Sequence, residues 1–303
     1  MNFLARATPP SFMEALKRLE EHSPALLATK FMMGDGTYLE WAHSVCVASN
    51  GGLRALTPPI PPLRLRSIVA AAEEELFLWT GARDISIFMG LYDELHVGGK
   101  DRPAKVLDFG CGCGRMTRYL AMANSVEAYA SEINADHVRW CRDNLDRVDT
   151  RLNGFNPPLE FDSDVFDMAY SLSIFTHLDE GIATAWLKDL TRVLAPGGLL
   201  IVTTHGYTAA AIVRDSCVHQ SMFRLKPAQT QAIIDKFATN RFVYIPFAAD
   251  IVEAAKAGPA YGNTFIHPSY IEEKWNAHGL EVVRQIPGGL RGWQDIVVMR
   301  KVA

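Results

Sequence analysis

The sequence predicts an α/β protein built on a mostly parallel sheet of seven strands, with the last strand antiparallel. Three observations carry that prediction. Between Lys105 and His205, short apolar runs alternate with segments of helical spacing, the pattern of a parallel sheet covered on both faces. A glycine-rich turn, Gly110-Cys111-Gly112-Cys113-Gly114, leads out of the first run. Near the C-terminal end, two apolar runs are separated only by PGGLRG. So short a link cannot be a parallel crossover, which makes the last strand antiparallel.

The elements follow in order. Ser11 to Glu21 has apolar residues at helical spacing with charges between them, an amphipathic helix. TPPIPPL, residues 57–63, lacks the backbone donors of regular helix or central strand and reads as a stiff connector. Ser67 to Leu78 and Asp84 to His96 read as two helices broken near Thr80-Gly81. KVLDF is the first strand, and a helix runs from the glycine turn to Ala123. SVEAYAS is the second strand, followed by a helix over Ala135 to Arg147. A short third strand spans Thr150 to Asn153, FDMAYSLS is the fourth, Glu180 to Leu194 is helical, and GLLIVTTH is the fifth. Pro268 to His278 reads as a helix with proline at its start, where the missing donor costs little. GLEVVRQI and WQDIVVMRK close the sheet.

Between the fifth strand and Pro268 lie about sixty residues that a minimal sheet of this kind does not need. Within them Tyr207 to Val213 and Pro227 to Asn240 read as helices. An insertion at a strand's carboxyl end sits over the place where such sheets bind ligands. It would shape a substrate pocket, with a dimer interface as the other use. The expected organisation is an N-terminal extension over residues 1–66, serving as lid, pocket wall or oligomer arm, and a domain over 67–303 with a cap-like insertion at 206–266.

Composition narrows the function. The chain has 303 residues, 30 Lys and Arg against 34 Asp and Glu, and a net charge of −4. That balance offers no broad basic surface and argues against a nucleic-acid partner. The five cysteines are odd in number and form no CxxC, which fits a reduced, cytoplasmic protein better than a disulfide framework. The N-terminal residues lack the sustained apolar core of a signal peptide. An uncharged run from Val193 to Val213 is interrupted by Pro196-Gly197-Gly198 and Thr203-Thr204-His205-Gly206. It reads as turn, buried strand and loop, and no membrane insertion is expected.

The glycines spell G-x-G-x-G, where a dinucleotide loop would spell G-x-G-x-x-G. Cys111 and Cys113 lack two further ligands at zinc spacing, so they read as small residues in a tight loop. Glu132 ends the next strand, 24 positions after Asp108. A carboxylate there would lie beside the loop and could accept two hydrogen bonds from a ribose diol. The helix after the loop presents its amino end to a carboxylate. A ligand carrying a ribose and an amino-acid carboxylate meets both demands.

VLDFGCGCGR, Glu132, FDMAYSLSIFTHL and LTRVLAPGGLLIVTTHG together resemble the Rossmann-like class I S-adenosylmethionine-dependent methyltransferases, in particular the bacterial small-molecule type. The resemblance covers residues 103–205 and the two closing strands, and little of 1–66 or 206–266. It implies S-adenosylmethionine as cofactor and transfer of its methyl group by in-line displacement to a small-molecule acceptor, an oxygen of a sugar, lipid or natural-product intermediate. By the same likeness, Asp108, Gly110, Cys111, Gly112 and Gly114 would hold the methionine part and Glu132 the ribose. Asn153 and Gly154 would lie near the adenine, although the family's usual acidic residue is absent there. Ser171 to Ile174 would face the sulfonium and acceptor. Tyr92 and Arg83 would either close over the cofactor or pack.

Methyl transfer needs alignment and exclusion of water, and a general base only for a neutral hydroxyl or protonated amine. His177, four residues past the fourth strand, leads as base, and His205, after the fifth, is second. Each could instead brace the fold. His267 and Tyr261 could line the acceptor pocket or form a loop's core. Asn156-Pro157-Pro158-Leu159 is not the nucleobase-methylating motif, because it precedes the fourth strand. No metal is expected, since the ends of strands four and five hold Ser171-Leu172-Ser173 and Thr203-Thr204-His205 instead of acidic ligands. Two other readings stay open: an S-adenosylmethionine-binding enzyme of different chemistry, and a non-catalytic partner-binding module. A homodimer is an arrangement open to the chain.

Overall fold

The computed structural model describes residues 57–69, 71–98, 102–123, 125–255 and 258–302. The helix expected over Ser11 to Glu21, most of the 1–66 extension and Cys46 lie outside them. Among the described residues the strands are β1 Ala104–Phe109, β2 Val126–Glu132, β3 Val148–Leu152, β4 Phe166–Ser171, β5 Leu194–Thr204, β6 Phe242–Pro246, β7 Gly262–Ile266, β8 Leu280–Leu290 and β9 Gln294–Lys301. Seven form one sheet in the order β3-β2-β1-β4-β5-β9-β8, and β6-β7 form a second. The expected seven-stranded, mostly parallel sheet is present. The chain divides into two compact units at Leu152 and Asn153.

In the first unit β1, β2 and β3 pair in parallel. Helices α1 (Glu74–Leu95), α2 (Thr117–Ala121) and α3 (Ala135–Asn144) accompany them. The break expected near Thr80-Gly81 is absent, and α1 runs unbroken for 22 residues. Gly81 is there for close approach: a Cβ on it would stand 2.2 Å from the carbonyl oxygen of Arg115. An interior glycine costs a helix only about 1 kcal/mol relative to alanine, which packing of this kind outweighs. The same junction holds a buried ion pair. Arg115 Nη1 lies 2.8 Å from Asp84 Oδ2 and donates to Thr80 Oγ1 at 3.0 Å. The proline connector is tied down through its carbonyls, Pro58 and Pro59 accepting from Arg118 and Pro61 from Arg66. Helix α3 begins at Asn134, whose side chain accepts from Asp136 N, and turns His137, Val138 and Cys141 inward.

In the second unit β4 and β5 are parallel, while β9 runs antiparallel to both β5 and β8. Leu199 to Val202 of β5 are fully buried, so both faces are covered and the strand reads as a continuous apolar run. The uncharged run Val193–Val213 is therefore the end of helix α4 (Glu180–Val193), β5 and most of helix α5 (Tyr207–Asp215). Among the described residues, no helix is long and apolar enough to cross a membrane. The Asn156–Leu159 segment is held to α4: Trp186 Nε1 donates to Phe155 O and Leu159 N to Asp189 Oδ2.

The insertion continues with α6 (Cys217–Met222), α7 (Pro227–Asn240), β6, α8 (Ala249–Ala255) and β7. It has its own core, in which Val213, Phe223, Ile233, Phe237, Val243 and Phe265 pack together. The two helices read from sequence are present, and the hairpin-like pair β6-β7 is an addition to that reading. The stretch expected as a helix over Pro268 to His278 is a helical turn, a π turn over Ile271–Trp275 and a 3-10 turn.

Candidate active site

In the first unit the site is built at the carboxyl ends of β1 and β2. Gly110, Gly112 and Gly114 have φ of 80°, 57° and 80°, the left-handed region that disfavours other residues. At Gly112 a Cβ would also meet Val69 Cγ1 at 2.4 Å. The loop is stitched to β2, because Gly110 N and Cys111 N both donate to Ser131 O, at 2.9 and 3.1 Å. Asp108 is buried and accepts from Thr117 Oγ1 at 2.6 Å.

Glu132 is the junction of this half. It is 7% exposed, yet neither oxygen is orphaned: Oε2 accepts from Gly112 N and Oε1 from Asn134 N, each at 2.8 Å. Two backbone donors compensate the burial of this carboxylate. Its oxygens offer about four lone-pair sites in all, which leaves capacity for a diol. The glycine cradle and this carboxylate fit a nucleoside carrying an amino-acid tail.

Both thiols beside the loop are buried. Cys111 Sγ donates to Gly112 O at 3.3 Å. Its hydrogen bond to Cys141 and its burial push the thiol well above its ordinary pKa. Burial raises Cys113 to about 12, and its side chain packs with Leu65, Ala71, Phe77 and Leu78. Tyr92 is buried in α1 with its ring stacked on His96 at 4.6 Å, and Arg83 pairs with Asp84.

One residue the sequence reading missed stands beside Glu132. His137 is 2% exposed, its Nδ1 is 3.9 Å from Glu132 Oε1, and neither ring nitrogen has a hydrogen-bond partner among the described residues. Leaving such a group unpaired costs about 1–3 kcal/mol. The available signal was a polar residue on the inward face of α3, in the stretch EINADH.

In the second unit, Asn153 donates to Gly154 O at 2.8 Å and keeps a buried Oδ1 without a partner among the described residues. Ser171 ends β4, fully buried, with its hydroxyl unpartnered among the described residues. Ser173 has φ 60°, its N donates to Thr203 Oγ1, and its hydroxyl meets the Gln294 amide.

His177 and His205 come together with their ring centroids 6.4 Å apart. His177 Nδ1 lies 2.7 Å from Gly262 O and His205 Nδ1 lies 3.1 Å from Thr264 O. A carbonyl only accepts, so each neutral ring carries its proton on Nδ1 and its lone pair on Nε2. Tyr261 at 4.8 Å and Phe247 at 6.0 Å flank His177, which is half-buried. Phe223, Phe265 and Trp293 surround His205, which is 2% exposed. Burial lowers the pKa of His177 against a small opposing effect of Gly262. It drives His205 down to about 3, with the neighbouring His177 adding to the shift. The backbone completes the arrangement: Gly262 N donates to His177 O, Thr264 N to Thr176 O, and Ile266 N to His205 O. Both histidines thus tie β7 of the insertion to the ends of β4 and β5. His267 has other partners. Its Nε2 meets Tyr207 and its Nδ1 accepts from Ser269 N as a cap.

A mostly parallel α/β sheet in this strand order carries a left-handed G-x-G-x-G loop held by an acid at the end of β2. Residues 106–198 match the family described as methyltransferase domain. The malonyl-acyl-carrier-protein O-methyltransferase of Salmonella typhimurium is 32% identical over 108 residues, 33% of this chain and 39% of that protein. The ubiquinone biosynthesis O-methyltransferase of Maricaulis maris is 30% identical over 111 residues, 35% and 42% of the two chains. The chain thus spans less than half the length of these curated relatives. In fold it is similar to the magnesium protoporphyrin IX methyltransferase of Synechocystis PCC 6803, solved with bound S-adenosylhomocysteine. The TM-score is 0.50 at 15% identity, covering 78% of this chain and 93% of that one. The match to the methyltransferase-domain family is thus confined to residues 106–198, while the likeness in fold extends over 78% of the chain.

Proposed function

We propose that the protein binds S-adenosylmethionine at the glycine loop and Glu132 and methylates an oxygen of a small-molecule acceptor, a sugar, lipid or natural-product intermediate. The observation that carries the cofactor half is the Glu132 carboxylate, seated on Gly112 N and Asn134 N beside three left-handed glycines. When bound, the cofactor supplies a methyl group already activated on a sulfonium, so the chain's own task is positioning, desolvation and one proton. Asp108, Gly110, Cys111 (through its backbone), Gly112 and Gly114 would hold the methionine part. Asn153, Gly154 and Ser171 are assigned to the ligand by likeness, with buried Asn153 Oδ1 and Ser171 Oγ offering unused bonding capacity. Tyr92 supports the site by packing α1.

His177 is the better base of the two histidines. Its Nε2 lone pair is fixed by the Nδ1 bond to Gly262, and its ring is half-buried between Tyr261 and Phe247. It would take the hydroxyl proton of the acceptor, a contribution of roughly 10²–10⁴-fold. His205, buried and with a pKa near 3, is a weak base and serves as a brace. Two relatives are named as O-methyltransferases, which supports oxygen as the acceptor atom.

Calorimetric titration with S-adenosylmethionine and S-adenosylhomocysteine tests the reading. Native chain should bind both, and Glu132→Ala and Gly112→Val should lose most of the affinity while remaining folded. A folded native chain that binds neither ligand would overturn it. Once an acceptor is found, His177→Ala should lower kcat much more than cofactor affinity.

A further inference from the structure

Every imidazole presents at least one N–H, and a neutral ring one lone pair as well. His137 buries both nitrogens without a partner among the described residues, although it occupies an inward position on α3 beside Val138 and Cys141. Leucine or methionine would fill that place at no polar cost and with better helix propensity. The orphaned ring is not aimed at random. Its Nδ1 faces Glu132 Oε1 at 3.9 Å, about 1 Å beyond hydrogen-bond length. The carboxylate itself is held from two other sides by Gly112 N and Asn134 N. A modest shift of either side chain would give Glu132 a third donor.

We propose that His137 is a positioning residue of the cofactor site, its Nδ1–H closing onto Glu132 Oε1 and fixing the carboxylate for a ribose diol. This rests on the cofactor reading above and adds to it a residue that touches Glu132 rather than the ligand. The three donors divide the work. Gly112 N holds Oε2, Asn134 N holds Oε1 from the helix start, and His137 approaches Oε1 from the inward face of α3. A diol then meets a carboxylate whose rotation is already arrested, so less ordering remains to be done on binding. A core histidine without this role would be replaceable by leucine with no effect on affinity.

The test is a double-mutant cycle in S-adenosylhomocysteine binding, read by calorimetry, with thermal melting of each variant alongside. His137→Leu should weaken binding about tenfold, the worth of one hydrogen bond to a charged group, while its melting temperature holds or rises. His137→Gln, which keeps an N–H donor, should recover part of the loss. In a Glu132→Gln background the same His137→Leu change should cost less than about twofold, because the partner charge is gone. Native-like affinity in the folded Leu variant, or an equal loss in the Glu132→Gln background, would overturn the assignment. If His137→Leu does not fold, the Gln variant decides: affinity near native, sensitive to Glu132, supports the role, and indifference to Glu132 refutes it. Native chain titrated in the same series separates the two ideas, since absent native binding refutes the cofactor reading itself.

Discussion

The ion pair between Asp84 and Arg115 joins α1 to the segment that follows the glycine loop, and its removal is the sharpest perturbation the first unit offers. Asp84 is fully buried and Arg115 is 8% exposed in its side chain, with 2.8 Å between Arg115 Nη1 and Asp84 Oδ2. Among the described residues, replacing Asp84 with leucine leaves Arg115 Nη1 only the Thr80 hydroxyl at 3.0 Å. An uncompensated buried charge of this kind costs about 3–5 kcal/mol. At roughly 2–4 °C per kcal/mol for chains of this order, Asp84→Leu should lower the melting temperature by on the order of 10 °C. Arg115→Met should cost less, because Asp84 keeps its pair with Arg83 Nη2 at 3.0 Å. The double variant removes both charges and should recover most of the loss, since apolar replacement of a buried pair is often close to neutral. The assay is thermal and urea unfolding of the four proteins, completed by S-adenosylhomocysteine binding to report on the loop. Additive losses in the double variant, or a cost below about 1 kcal/mol for Asp84→Leu, well short of the range for breaking a buried pair, would refute the reasoning.

Other outcomes follow from single residues. In α1, Gly81→Ala should destabilise because its Cβ would strike the Arg115 carbonyl, whereas Gly90→Ala, with nothing within 4 Å, should stabilise by up to about 1 kcal/mol; melting temperatures compare the two. His205 has a folded-state pKa of about 3 against an ordinary 6.5. The unfolded chain therefore binds its proton first, and stability should fall as pH drops from about 6.5 toward 3, by at most about 1.4 kcal/mol per pH unit from this group. Urea titrations of native and His205→Gln protein at pH 7 and pH 5 measure the difference, and equal slopes would contradict it. Among the described thiols, exposed Cys217 should alkylate readily in native protein while Cys111, Cys113 and Cys141 resist, as mass spectrometry of the labelled peptides would show.

Much of this architecture was written locally. The strands between Lys105 and His205 announce themselves as apolar runs because both faces are covered, and the three glycines announce positive φ because little else adopts it cheaply. Glu132 was legible for the same reason, an acid at the end of a strand whose neighbour ends in a glycine loop. What was illegible depends on distant partners. Gly81 looked like a helix breaker until Arg115 was seen packing on it. Strands β6 and β7 are five residues each, joined across the α8 segment, and their pairing has no short-range turn signal. His137 reads as an ordinary helical residue until its distance to Glu132 is known. Position along the chain points to His177 and His205 as candidate bases, but only the carbonyls of Gly262 and Thr264 distinguish their tautomers, and only burial ranks His177 above His205.

The strand Gly262–Ile266 bears on how the second unit opens. Its bonds to His177, Leu178 and His205 close chain segments of 59 to 86 residues, whereas β4 and β5 are locked into a sheet with fully buried apolar strands. A short strand paired outside the main sheet opens at lower free energy than the buried central strands of that sheet. The amides of Gly262, Thr264 and Ile266 should therefore exchange with solvent deuterium as one cooperative set, at a lower free energy than those of Leu200 or Val298. That release would leave β4, β5, β9 and β8 hydrogen-bonded throughout.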